Sequence, residues 1–70
     1  MLKVVYYAKD LMIVQKVIIE QKNIYINLED IQDLWIDFSN SRSCSFMCVT
    51  PDTIKDFITD YLPTVLEELQ

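Results

Sequence analysis

The chain contains no glycine and no histidine among its 70 residues, and only two prolines and two cysteines. Without histidine no side chain has an ordinary pKa near neutrality, which excludes a Ser-His-Asp or Cys-His arrangement and any histidine-bearing zinc site. Without glycine neither a Walker loop nor a dinucleotide fingerprint can be written, because both need glycine to bring backbone close to phosphate. Chemistry is left to carboxylates, hydroxyls, lysines and two thiols. The resulting expectation is a protein that is not an enzyme, with no cofactor and no metal.

Positive charge is scarce as well. Six Lys and Arg face eleven Asp and Glu, a net charge of −5. Residues 1–27 hold four lysines against Asp10 and Glu20, a net +2, whereas residues 28–70 hold Arg42 and Lys55 against nine carboxylates, a net −7. An acidic half repels phosphate and favours basic partners. The expected partner is a larger protein with a basic surface, and direct nucleic-acid binding is not expected.

No long hydrophobic run is present: the most apolar stretch, LMIVQKVII, carries Lys16 inside it, and a spanning helix needs about 20 apolar residues. The protein is therefore expected away from membranes, in the cytoplasm, or in the host cytoplasm if its source is viral.

What is there is a folded domain, with apolar residues at 51% of the chain, read as a single domain over 1–70. At this length folding buries only about 60% of the surface the unfolded chain exposes, so association is the expected aid to stability, through a homodimer or a hetero-complex.

Residues 2–8 and 11–20, joined at Lys9-Asp10, read as a hairpin rich in Val and Ile. The second stretch is apolar on both faces, as if both were covered. A rival reading makes it a helix with Leu11, Val14 and Ile18 inward, but five of the nine residues from 11 to 19 are β-branched, which favours a strand. Residues 23–27 read as a short strand with Ile24 and Ile26 on one face. From Leu28 the period changes, with Leu28, Ile31 and Leu34 three apart and Asn27 as cap, a short acidic helix. Residues 35–39 and 43–49 then read as a second hairpin.

The last element is the plainest. Ile54, Phe57, Ile58, Tyr61, Leu62, Val65, Leu66 and Leu69 recur at helical spacing behind Thr50 as N-cap and Pro51 at the first helical position. Pro63 is expected to kink or break that helix. The fold class that follows is α+β: a small antiparallel sheet of four to five strands with a C-terminal amphipathic helix packed on one face.

On such a sheet Cys44 and Cys48 would lie about 13 Å apart, beyond the roughly 7 Å that a disulfide spans. They are expected to be reduced, buried and space-filling. Asp52, Asp56, Asp60 and Glu67 fall within an 80° arc of the last helix at about 100° per residue, a solvated face that could also dock a basic patch. Glu29, Asp30, Asp33 and Asp37 form a second acidic cluster, without the ligand alternation and turning glycine of a calcium loop. Trp35 is either core or a binding anchor, and Tyr6 and Tyr7 should point to opposite sides.

In size, acidity and lack of a catalytic motif, the chain resembles the small inhibitor proteins encoded by bacteriophages, such as anti-CRISPR and other anti-defence proteins. The resemblance covers the chain as a whole and assigns no role to any residue. It implies a non-enzymatic acidic module that inhibits by occupying a basic surface of a larger protein, a nucleic-acid-binding surface being one candidate. The alternative is a structural or accessory subunit that homo-oligomerises through the 11–20 strand.

Overall fold

A computed structural model describes residues 6–68, with side chains through Glu67. These residues form α1 (Ala8–Lys22), α2 (Leu28–Ser41), and a third helical arm made of α3 (Pro51–Asp56), a π-helical turn (Phe57–Tyr61) and α4 (Leu62–Glu68). No strand occurs among the described residues. The expected α+β sheet is therefore overturned: residues 11–20, 23–27, 35–39 and 43–49 are helix or irregular chain. The strand expected at 2–8 falls largely outside the described residues.

The reason begins in α2. Ile31, Leu34, Trp35 and Phe38 continue the helical period past the point where a hairpin was expected, and Ile31, Trp35 and Phe38 are fully buried. Asn27 caps the helix by accepting from the Asp30 N–H at 2.9 Å, as its sequence position indicates. Once residues 28–41 are helical, the second expected hairpin is lost and a strand at 11–20 is left without most of the sheet it was to join, and unpaired buried backbone is costly. A helix satisfies its own backbone.

In α1 the β-branched residues cost about 0.5 kcal/mol each relative to good helix formers, whereas burying a large apolar side chain is worth about 1.5–3 kcal/mol. The three residues of the rival helical reading, Leu11, Val14 and Ile18, are the ones buried. Asn23 ends α1 in the left-handed region (φ 55°, ψ 38°), with its N–H on the Ile19 carbonyl. In a chain with no glycine, asparagine takes the position glycine usually fills.

The third arm starts as its sequence indicates. The Thr50 side chain accepts from the Thr53 N–H and Thr53 Oγ1 accepts from the Thr50 N–H, a reciprocal cap around Pro51. Pro63 can neither donate to the Thr59 carbonyl nor lie close against it. Immediately ahead of it the helix widens, the Leu62 N–H reaching back five residues to the Phe57 carbonyl, and α4 follows without a break. A π-helical turn is a recognised way of absorbing such a local conflict.

α2 and the third arm close on an aromatic cluster of Trp35, Phe38, Phe57 and Tyr61, with neighbouring ring centroids 5.0–5.5 Å apart. Segment 44–50 is irregular and held by side chains: Trp35 Nε1 donates to the Met47 carbonyl at 2.9 Å, and Phe46 stacks on Tyr6 at 4.6 Å. Cys44 and Cys48 are free thiols in that segment. They are not buried as expected, Cys44 being half-buried and Cys48 exposed.

Candidate functional site: an acidic face across two helical arms

The two acidic clusters are separated by fifteen or more residues in the chain, yet side chains link them in space. The Tyr61 hydroxyl donates to the Asp37 carboxylate, tying the end of the π-helical turn to α2. Arg42, in the turn that leaves α2, donates through Nε to Asp56 at 3.1 Å and through Nη2 to Asp60 at 2.6 Å. Its guanidinium also lies 5.2 Å over the Phe38 ring. Asp37, Asp56 and Asp60 are thus gathered at the junction of α2 and the third arm. Asp33 lies one turn before Asp37 and is exposed.

The Arg42 pKa is raised above its ordinary value, first by the hydrogen bond it donates to Asp56 and then by the one it donates to Asp60. This cation is permanently charged in any case. Its effect is to hold two carboxylates that would otherwise repel each other one helical turn apart.

The remaining candidates are placed less tightly. Asp52 and Glu29 are exposed in the first turns of α3 and α2, where carboxylates complement the helix dipole. Asp30 is exposed at the start of α2, beside a shallow groove formed with Leu34, Leu62 and Leu66. Glu67 is exposed on α4, beyond the π-helical turn that interrupts the register on which the four-residue arc was reckoned.

Trp35 is 0% exposed, which places it in the core, the first of its two readings, and not on the surface as an anchor. Its indole is enclosed by Phe38 and Phe57 and its one polar atom is spent on Met47. Tyr6 and Tyr7 do part as expected: Tyr6 is buried and Tyr7 is 74% exposed.

Comparison with known protein families, with curated proteins and with solved structures returns no match to this chain.

Sequence reading passed over Arg42 and Tyr61 as parts of this face. The signal for Arg42 was available, since it is the one cation between Lys22 and Lys55 and so the obvious counter-ion for either cluster. Tyr61 was counted in the apolar stripe, and only packing shows that its hydroxyl emerges beside Asp37. Among the described residues no group of three or more Cys, Asp or Glu is placed to hold a metal ion. No helix among them is long and apolar enough to cross a membrane.

Proposed function

We propose that the protein is a non-enzymatic binding module whose acidic face occupies a basic surface of a larger protein and inhibits it. The supporting observation is the joining of the two acidic clusters through Tyr61–Asp37 and Arg42–Asp56/Asp60. Side chains held in place before contact lose less freedom on binding than loose ones. A face with one arginine among several carboxylates also steers toward positive charge from a distance.

Carboxylates four apart on a helix rise about 6 Å, whereas one DNA strand carries a phosphate about every 3.4 Å. The face therefore fits discrete Lys and Arg side chains on a protein better than it copies a duplex.

The alternative of assembly through an 11–20 strand loses its mechanism, because those residues are helical and offer no strand edge.

The test is affinity capture from a lysate at low and then high salt, with the eluate identified by mass spectrometry. It is run beside a variant in which Asp33, Asp37, Asp56 and Asp60 are all changed to Asn. The amides keep the shape and the acceptors but remove four charges. The expected result is one basic protein, released at high salt and bound at least tenfold more weakly by the variant, with helical circular dichroism unchanged. Capture indifferent to both salt and the four amides refutes the proposal.

A further inference from the structure

The remaining cations mark a second surface, distinct from the acidic face. Of the five Lys and Arg among the described residues, Arg42 is committed to Asp56 and Asp60. Three of the other four, Lys9, Lys16 and Lys55, border one run of exposed apolar side chains. That run begins on the outer side of α1 with Met12, Ile13 and Ile19, which are 55%, 51% and 41% exposed. Beside it, Ile13 and the half-buried Val17 edge a shallow groove whose floor is formed by Ile54 and Ile58 of the third arm, themselves largely buried at 6% and 3% exposed. Glu20 is the one carboxylate along either groove.

This combination is unusual for a chain of net charge −5. Exposed side chains of this size scattered singly need no explanation, but contiguous ones rimmed by polar residues mark a contact surface, and here three lysines outnumber the one carboxylate on the rim. Lys9 and Lys16 stand two helical turns apart, about 10 Å. Carboxylates seven apart on a helix laid along α1 reproduce that spacing.

We propose that the α1 surface binds an amphipathic helix of another protein, with apolar side chains seated over Met12, Ile13 and the Ile54–Ile58 groove and carboxylates facing Lys9, Lys16 and Lys55. Helix-in-groove docking of this type reads its partner by apolar anchors at i, i+3, i+4 and i+7.

Two other occupants are disfavoured by charge. In a second copy packed parallel, Lys9 would meet Lys9 and Lys16 would meet Lys16. Packed antiparallel so that Met12 and Ile13 lie against Ile19, the two copies bring Lys16 beside Lys16 again. An anionic lipid surface would attract the three lysines, but it would be repelled by the excess of carboxylates, and a flat bilayer does not enter the groove over Ile54 and Ile58. The proposal is independent of the acidic face, because the two surfaces share no residue.

The probes are two synthetic 15-residue amphipathic peptides with leucines at i, i+3, i+4 and i+7. One carries Glu on its flanks and the other Lys at the same positions. Binding is followed by amide chemical shifts of the isotope-labelled full chain. The acidic peptide is expected to move Met12, Ile13, Val17, Ile54 and Ile58, and to bind at least tenfold more tightly than its basic counterpart. Lys9→Glu with Lys16→Glu should reverse that preference, and Ile13→Asp, at a half-exposed position, should abolish binding of both while the remaining spectrum stays folded.

Equal affinity for the two peptides, or no shift at millimolar peptide, overturns the proposal. So does concentration-dependent broadening of the same residues without peptide, which would assign the surface to a second copy. Binding to anionic but not zwitterionic vesicles in place of peptide would assign it to lipid and overturn the proposal equally.

Discussion

The hydroxyl of Tyr6 lies 3.3 Å from Oγ of Ser39, joining residues 33 positions apart in the buried interior. The same hydroxyl accepts the Met47 N–H at 3.2 Å, and Ser39 Oγ donates to the Trp35 carbonyl at 2.9 Å. One phenol thus connects the segment before α1, the end of α2 and the irregular run 44–50. No buried side-chain nitrogen or oxygen among the described residues is left without a partner, as a small interior requires.

Removing that hydroxyl leaves Met47 and Ser39 short of a partner. Tyr6→Phe is expected to destabilise the fold by about 1–2 kcal/mol, read from urea denaturation. Tyr7→Phe, at an exposed site, should stay within about 0.5 kcal/mol of the parent. Equal effects from the two would contradict the placement of Tyr6.

Trp35 is the sole tryptophan, so its fluorescence reports the core directly. In the folded protein it should resist quenching by acrylamide and become accessible on unfolding. Trp35→Ala is expected to cost about 3–5 kcal/mol, comparable with the whole stability of a chain this short at about 0.05–0.15 kcal/mol per residue. Trp35→Phe, which keeps most of the volume and loses the bond to Met47, should remain folded with a lower melting temperature. Ready quenching in the folded state would restore the anchor reading.

Asn23 tests the end of α1. Asn23→Val, with a branched side chain forced to φ 55°, should destabilise by about 1–2 kcal/mol. Asn23→Gly should be neutral within a few tenths of a kcal/mol, since glycine adopts that conformation freely but gains chain entropy when unfolded. Thermal unfolding of the two variants, compared at equal concentration, separates these outcomes.

Arg42 is partly exposed, and its ion pairs are at the surface, where such pairs contribute little to folding. Arg42→Gln should leave the helical signal unchanged while making the acidic face more negative by one charge. Capture of a basic partner should then fall more steeply as salt rises. Loss of helical structure in Arg42→Gln would make the pair a structural clamp instead.

The sequence alone determined where α2 and the third arm begin and the acidic sign of the second half. Asn27, Thr50 and Pro51 sit where caps and first-turn residues belong, and local hydrogen bonding between near neighbours enforces those choices. The apolar period from Ile54 to Leu66 likewise fixes a helix, and the carboxylates of the second half fix an acidic exterior. What tertiary structure decided was the state of residues 11–20 and 35–49. LMIVQKVIIE is apolar on every side and β-branched, so propensity and pattern favour a strand when it is read alone. A strand needs neighbours for its backbone, and α2 removes them by running on through Trp35 and Phe38 to Ser41. With no sheet to join, residues 11–20 bury Leu11, Val14 and Ile18 as a helix and leave Met12, Ile13 and Ile19 outside. The acidic face was legible in composition but not in shape, because Arg42 meets Asp56 and Asp60, and Tyr61 meets Asp37, only after the third arm packs against α2.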